Sequence, residues 1–262
     1  MSLPTVQDIY EAVDALAPFS TALPYDNAGL LVGSESEPVR GIAFVLDITP
    51  AAVEWTAKQG WNLIVSHHPI LFHPARRVPA DGAIYRMAQV GMSAICAHTN
   101  LDCAPGGVND VLAELLGLAS VEPLADPEFP HHPPIARIGC LRQTTDACGL
   151  AGLVRSALEV DAVGYADGGR PITRVAVCGG AGADLILPAI QAGAQALVTA
   201  DVRHHELLDA MQGGLTVVDG GHFATENKVL RPWMERLKKC FPETPMQTIP
   251  QPSPLQFALK QR

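Results

Sequence analysis

Asn62-Leu63-Ile64-Val65-Ser66 runs directly into His67-His68-Pro69. A short, unbroken apolar run bounded by polar residues and a proline reads as a strand buried on both faces. Working back from it, Pro50 to Lys58 reads as a helix with Thr49 as its cap and Gly60 as its stop. Before that helix, Ile42 to Asp47 is another strand. Working forward, residues 82–90 read as a helix and Ser93 to Ala97 as a third strand. Short apolar strands alternating with helices are the pattern of βαβ units and a mostly parallel sheet.

The same alternation returns further along. A helix over 107–117 is followed by residues 121–134, VEPLADPEFPHHPP. Pro123, Pro127, Pro130, Pro133 and Pro134 make that stretch unfit for a regular element, so it is expected to be a connector. Then come a strand near Ile138–Leu141, a helix over Ala147–Leu158 and a strand over Arg174–Cys178. A Gly-rich turn at Gly179-Gly180-Ala181-Gly182 leads to a helix over Ala183–Ala192, interrupted by Pro188. Gln195–Thr199 and Leu215–Asp219 read as strands flanking a helix at His204–Met211, with a last helix over Thr225–Lys239 and an extended tail after Phe241. At the other end, Thr5 caps a helix carrying Asp8 in its first turn and Ile9, Val13 and Leu16 on one face. The expected fold class is α/β. It comprises two similar α/β units, residues 1–125 and 126–262, with mostly parallel or mixed sheets flanked by helices. The last helix and tail are expected to pack back on the first unit. The strand ends of both units are expected to surround a shared crevice.

The chain has 262 residues, 48% of them hydrophobic and 17% charged, which is a globular balance with enough length for a sizeable core. A net charge of −9 argues against nucleic acid or an anionic membrane as the main partner. No apolar run is long enough to cross a bilayer. The leading MSLPTVQDIYEAVDAL lacks the basic and apolar regions of a secretory signal. Cys96, Cys103, Cys140, Cys148, Cys178 and Cys240 form no Cys-x-x-Cys pair, and several lie in apolar runs. They read as reduced structural thiols in a cytoplasmic protein.

The residues just beyond each strand carry the chemistry. His67-His68 comes after one, His98 and Asp102 after a second, Asp201 with His204 and His205 after a third, and His222 with Glu226 after a fourth. Most of the histidines lie in these four segments or just after one of them; His131 and His132, in the Pro-rich connector, do not. Ligands of open parallel sheets sit beyond the carboxyl ends of the strands. Imidazole with carboxylate is a donor set for Zn, Fe, Mn or Co. Extended neighbours point their side chains apart, so His67 and His68 are expected to face different ions of a pair. His222 and Glu226 share a helix face if a helix starts near His222. Asp102, Glu226 or both could bridge cations about 3.5–4 Å apart. His98 either exchanges a proton beside the metals or orients a ligand. Asp47 either positions such groups or caps the following turn. The 179–182 glycines either receive an anion on their N–H groups or simply serve a tight turn, and His204 faces solvent.

Val65-Ser66-His67-His68-Pro69-Ile70-Leu71-Phe72, Ala97-His98-Thr99-Asn100-Leu101-Asp102 and Gly221-His222-Phe223-Ala224-Thr225-Glu226 together resemble the NGG-interacting-factor-three-like family, commonly called GTP cyclohydrolase 1 type 2. Tyr25-Asp26-Asn27-Ala28-Gly29-Leu30, Val177-Cys178-Gly179-Gly180 and Thr199-Ala200-Asp201 with His205 extend the resemblance over essentially the whole chain. Tyr25 stands where the family usually has Trp, and Ala200 where it has Gly. The short connector lacks the central domain of longer relatives. The resemblance implies two divalent metal ions per subunit held by His67, His68, Asp102, His222 and Glu226. It also implies a ring-like homohexamer and places Asp201 and His205 at the same crevice.

The expected activity is that of a dinuclear metal-dependent hydrolase acting on a small molecule, a nucleotide or a cyclic amide, with His98 and Glu226 as catalytic residues. The resemblance adds GTP cyclohydrolysis as the reaction type. The alternative is a non-catalytic metal-binding or regulatory protein that buffers or delivers metal or binds a partner.

Overall fold

Thr5 opens the first helix, α1 (Val6–Leu16), with a reciprocal cap: its hydroxyl accepts from the Asp8 amide at 3.2 Å while Asp8 accepts from the Thr5 amide at 2.7 Å. A cap of this kind contributes about 1 kcal/mol. The computed structural model describes residues 3–258. The first two residues of the leading segment and the last four of the tail lie outside the described residues. After α1 come β1 (Gly29–Val32), β2 (Ile42–Val45), α2 (Pro50–Lys58), β3 (Leu63–Ser66), α3 (Ala83–Val90), β4 (Ser93–Cys96) and α4 (Thr99–Cys103). Next are α5 (Val108–Leu115), β5 (Ala119–Leu124), β6 (Ala136–Thr145), α6 (Ala147–Leu158), β7 (Gly164–Ala166) and β8 (Ile172–Ala181). The chain continues through α7 (Ile186–Gln191), β9 (Ala196–Ala200), α8 (His204–Gln212), β10 (Thr216–Asp219), α9 (His222–Asn227), α10 (Leu230–Cys240) and β11 (Met246–Thr248).

The chain divides into two compact units, one made of residues 1–107 with 229–251, the other of 108–228 with the tail from 252. The first holds a five-stranded sheet in the order β1-β4-β3-β2-β11. β11, β2, β3 and β4 are mutually parallel, and β1 is antiparallel to β4. All residues of β2, β3 and β4 are buried. On one face Ala43, Val45, Ile64 and Ala94 pack with Ala52, Val53 and Met87 of α2 and α3. On the other, Phe44 meets Trp233 of α10 edge-on, ring centres 5.4 Å apart. Both rings are fully buried, and such a pair adds about 1 kcal/mol to the area it hides.

The second unit holds a six-stranded sheet in the order β5-β6-β8-β9-β10-β7. Its β8, β9 and β10 are parallel, and the other strands pair antiparallel. Period-two alternation sorts the side chains. Val175, Val177, Val198 and Val218 join α5 and α6 in one core cluster. Ala176, Cys178, Leu197 and Val217 join α7 and α8 in another. The fold is therefore a mixed α/β architecture with two helix-flanked sheets, as expected from the alternation.

Three local readings are corrected. Residues 121–124 of the proline-rich connector form part of β5, an edge strand where Pro123 costs no ladder bond. β8 runs through the glycines to Ala181, so 179–182 is not a simple turn. The last helix is two helices, because Pro232 lacks the N–H that would bond to the Lys228 carbonyl. The tail after Phe241 is extended as expected and supplies β11 to the first unit's sheet. Among the described residues no helix is long and apolar enough to cross a membrane.

Candidate metal centre

Each sheet carries its polar side chains at the tips of its parallel strands. In the first unit β3 ends at Ser66, and His67 and His68 lie in the bend after it. Because the backbone is no longer extended there, the two rings converge instead of pointing apart, with centres 5.1 Å from each other. His98, beyond β4, joins them with ring centres 5.2 and 5.7 Å away. One donor atom from each of the three lies within 4.8 Å of the others.

The orientation of each ring is set from behind. His67 is fully buried, and its Nδ1 lies 3.0 Å from the Ala97 carbonyl. His68 Nδ1 lies 2.8 Å from Asp47 Oδ1, and His98 Nδ1 lies 2.8 Å from Asp26 Oδ1. An imidazole whose Nδ1–H donates to an acceptor presents the lone pair of Nε2, as metal-ligating histidines do. Asp47 thus positions His68, while the cap of α2 is Thr49, whose hydroxyl accepts from the Ala52 amide at 3.2 Å. Asp47 is itself clamped: Gln251 donates to its carbonyl at 2.7 Å and accepts from the amides of Leu46 and Asp47 at 2.9 and 3.2 Å.

Asp26 also accepts from the Thr99 amide at 3.0 Å and the Thr99 hydroxyl at 2.5 Å. Burial raises the pKa of Asp26, but the hydrogen bond and charge of His98 and the two Thr99 bonds outweigh it and bring the pKa down from 3.8 to about 2. Asn100, fully buried, accepts from the His98 amide at 2.9 Å and donates to the Ala17 carbonyl at 2.7 Å. One turn into α4, Asp102 Oδ1 lies 3.8 Å from His67 Nε2. Burial, helped by the charges of Asp26 and Asp102, pushes the Cys96 thiol well above 9.0. The thiol therefore keeps its proton and donates to the His67 carbonyl at 3.0 Å.

In the second unit α9 begins at His222, and His222 Nε2 lies 3.2 Å from Glu226 Oε2, one turn on. His222 Nδ1 lies 2.7 Å from Asp201 Oδ2. Asp201 is held in the left-handed region at φ 56, unusual for a residue with a side chain and found where surroundings dictate it. Glu226 is 4% exposed. Gly180 makes room for it: a Cβ there would stand 2.2 Å from Glu226 Oε1. The N–H groups of Gly179 and Gly180, one alternative for which was to receive an anion, are already engaged. Gly179 donates to Asn109 Oδ1 at 2.8 Å and Gly180 to the Thr225 hydroxyl at 3.0 Å. The glycines at 179 and 180 therefore serve the carboxylate and not a phosphate cradle. His204 and His205 are exposed on α8, and His131 and His132 lie in a loop.

The donor chemistry fits divalent cations. Imidazole Nε2 atoms and carboxylate oxygens gather at the strand tips, and carboxylates or carbonyls orient the imidazoles from behind. Asp26, Asn100, Thr225 and Gln251 escaped the sequence reading. Asp26, Asn100 and Thr225 lie inside the family-like motifs, but nothing in their spacing pointed to these bonds, and Gln251 carried no signal.

Several known proteins are similar to this chain over most of its length. A Clostridium perfringens protein named GTP cyclohydrolase 1 type 2 homolog is 29% identical over 239 residues, covering 89% of this chain and 91% of its own. A Streptomyces coelicolor protein of the same name is 32% identical over 243 residues, covering 89% and 84%. Among solved structures, a Staphylococcus aureus hypothetical protein is similar with a TM-score of 0.88 and 25% identity, covering 98% of this chain and all of that one. A Bacillus cereus protein related to NIF3 shares the fold with a TM-score of 0.90 at 23% identity, covering 98% and 100%. The Duf34/NIF3 (NGG1p interacting factor 3) family model matches residues 4–253, and the chain belongs to that family.

Proposed function

We propose that this protein is a dinuclear metal-dependent hydrolase acting on a nucleotide or cyclic amide, with His67, His68, Asp102, His222 and Glu226 holding two divalent ions. The observation that carries the reading is the pairing of three imidazoles with three carboxylates: His68 with Asp47, His98 with Asp26 and His222 with Asp201. A protein that merely tolerated surface histidines would have no reason to fix three rings with Nε2 outward. The names of the relatives support a GTP cyclohydrolase-like reaction.

Divalent ions bound there would supply Lewis acidity and lower the pKa of a water molecule. Within the chain, Glu226 would serve as the proton acceptor, a role supported by its burial beside His222 and by the space at Gly180 that admits its carboxylate. His98, its Nδ1–H donated to ionised Asp26, presents the lone pair of Nε2, which can take up a proton and then return it to a leaving nitrogen. The protein works as a small-molecule enzyme in a homohexamer, in the cytoplasm.

The test is metal analysis of the purified protein, followed by turnover assays with GTP, cyclic nucleotides and cyclic amides. Glu226→Ala is expected to abolish turnover with the fold intact by circular dichroism. Fully metallated protein with no turnover on any of these classes would favour the metal-binding or regulatory role instead.

A further inference from the structure

Two large aromatic rings stand in the open beside the histidine cluster of the first unit. Tyr25 is 56% exposed and Phe72 39% exposed. Phe72 lies edge-on to His98 with ring centres 6.0 Å apart, and Tyr25 lies edge-on to Phe72 at 6.4 Å. His98, Phe72 and Tyr25 therefore form a row of rings leading outward from the cluster. The row belongs to the same loops that set the cluster. Tyr25 immediately precedes Asp26, the carboxylate that fixes His98. Phe72 lies four residues after His68. The two loops are tied together, since Asn27 Nδ2 donates to the Leu71 carbonyl. The tie fixes the rings relative to the imidazoles.

Apolar rings left in water beside a polar cluster have a face to offer. A flat π-system has a negative face and a positive edge, and it takes a second flat ring by stacking. The neighbouring groups are imidazoles and acids, which suits a ring bearing nitrogen donors more than a hydrocarbon. We infer that Tyr25 and Phe72 are the stacking wall for a planar nitrogen heterocycle whose reacting edge faces His98, an assignment that rests on the hydrolase reading and names its substrate class.

The test is calorimetric titration of the metal-loaded full chain with guanosine 5′-triphosphate, guanosine and pterin, using ribose 5-phosphate as the saturated control. At least one flat ligand is expected to bind, and Phe72→Leu and Tyr25→Leu are each expected to weaken it about 5- to 150-fold while ribose 5-phosphate is unaffected. Leucine keeps apolar bulk but has no π-face, so the loss separates stacking from simple contact. Phe72→Trp should keep or tighten binding, with indole fluorescence quenched by the ligand. No binding of any flat ligand, or equal affinity in wild type and both leucine variants, would overturn the inference. A change of oligomeric state in those variants without loss of ligand affinity would overturn it too. Binding is read without turnover, and metal is measured on the same samples. Absence of flat-ligand binding by metal-loaded wild type, or unchanged affinity in the leucine variants, therefore counts against the wall alone, whereas flat-ligand binding without bound metal counts against the hydrolase reading alone.

Discussion

The two units repeat one plan and finish it differently. The series α1-β1-β2-α2-β3-α3-β4-α4 in the first matches α6-β7-β8-α7-β9-α8-β10-α9 in the second, down to an antiparallel edge strand beside the last parallel one. Both series end in a short helix with a histidine at its start, His98 just before α4 and His222 as the first residue of α9, and an acid four residues after that histidine, Asp102 or Glu226. Both histidines rest their Nδ1 on an aspartate, Asp26 or Asp201. The use of the spacing differs. His222 Nε2 faces its own Glu226 at 3.2 Å, while Asp102 lies 3.8 Å from His67 Nε2 on a different strand. A repeated scaffold can supply the same residue types, and the strand tips decide which of them meet.

The largest effect expected from testing that comparison is at Gly180, for which the tips of the first unit offer no counterpart. Gly180→Ala places a methyl 2.2 Å from Glu226 Oε1 at a backbone φ of +66. Crowding and strain together should cost about 3 kcal/mol, read as a fall in thermal midpoint together with weakened metal binding. Unchanged metal content and melting would show that Glu226 is not confined as described.

The paired aspartates come next. Asp201→Asn should lower metal affinity about 10- to 100-fold in a chelator competition, because His222 would no longer be held in the required tautomer. Asp26→Asn should leave metal affinity nearly unchanged if His98 is a proton-transfer group. An equal fall in both variants would make His98 a ligand and the two units functionally symmetric. Asp26→Asn also has a signature in acid. The folded pKa of Asp26 is lowered from 3.8 to about 2, so its stabilisation is complete above the unfolded value and is lost as pH falls from about 4 through about 2. Wild type should therefore lose stability more steeply than Asp26→Asn across that window in an acid-denaturation series.

The smallest effect concerns the scaffolds. Thr5 caps α1, and Asp146 caps its counterpart α6 by accepting from the Gly149 amide at 2.7 Å. Thr5→Ala and Asp146→Ala should each cost about 1 kcal/mol in urea unfolding and leave metal binding alone. A metal defect in either would mean the frame and the tips are not separable.

Much of this was legible because local signals agreed. Thr49, Pro50 and Gly60 bracket α2, and the apolar runs of β2, β3 and β4 sit where continuous burial requires them. The histidine-bearing strand tips were visible for the same reason. What was hidden is non-local. β1, β7 and β11 are four residues or fewer, and pairing with distant strands makes them strands more than their own sequence does. The convergence of His67 and His68 depends on a bend that side-chain alternation does not foretell. Asp26 meets His98 across 72 positions and Gln251 reaches Leu46 across 205, separations over which sequence pattern carries no information.

Gln251 has one more consequence. Because β11 completes the first sheet and Gln251 clamps the backbone of Asp47, whose carboxylate lies behind His68, that sheet cannot be finished while the later part of the chain is still being made. On the ribosome, the nascent first unit waits with an open strand edge through the synthesis of the whole second unit, at about 5–20 residues per second. The Asp47 contact that orients His68 is therefore locked only once residue 251 has emerged, long after the His68 loop itself has been made.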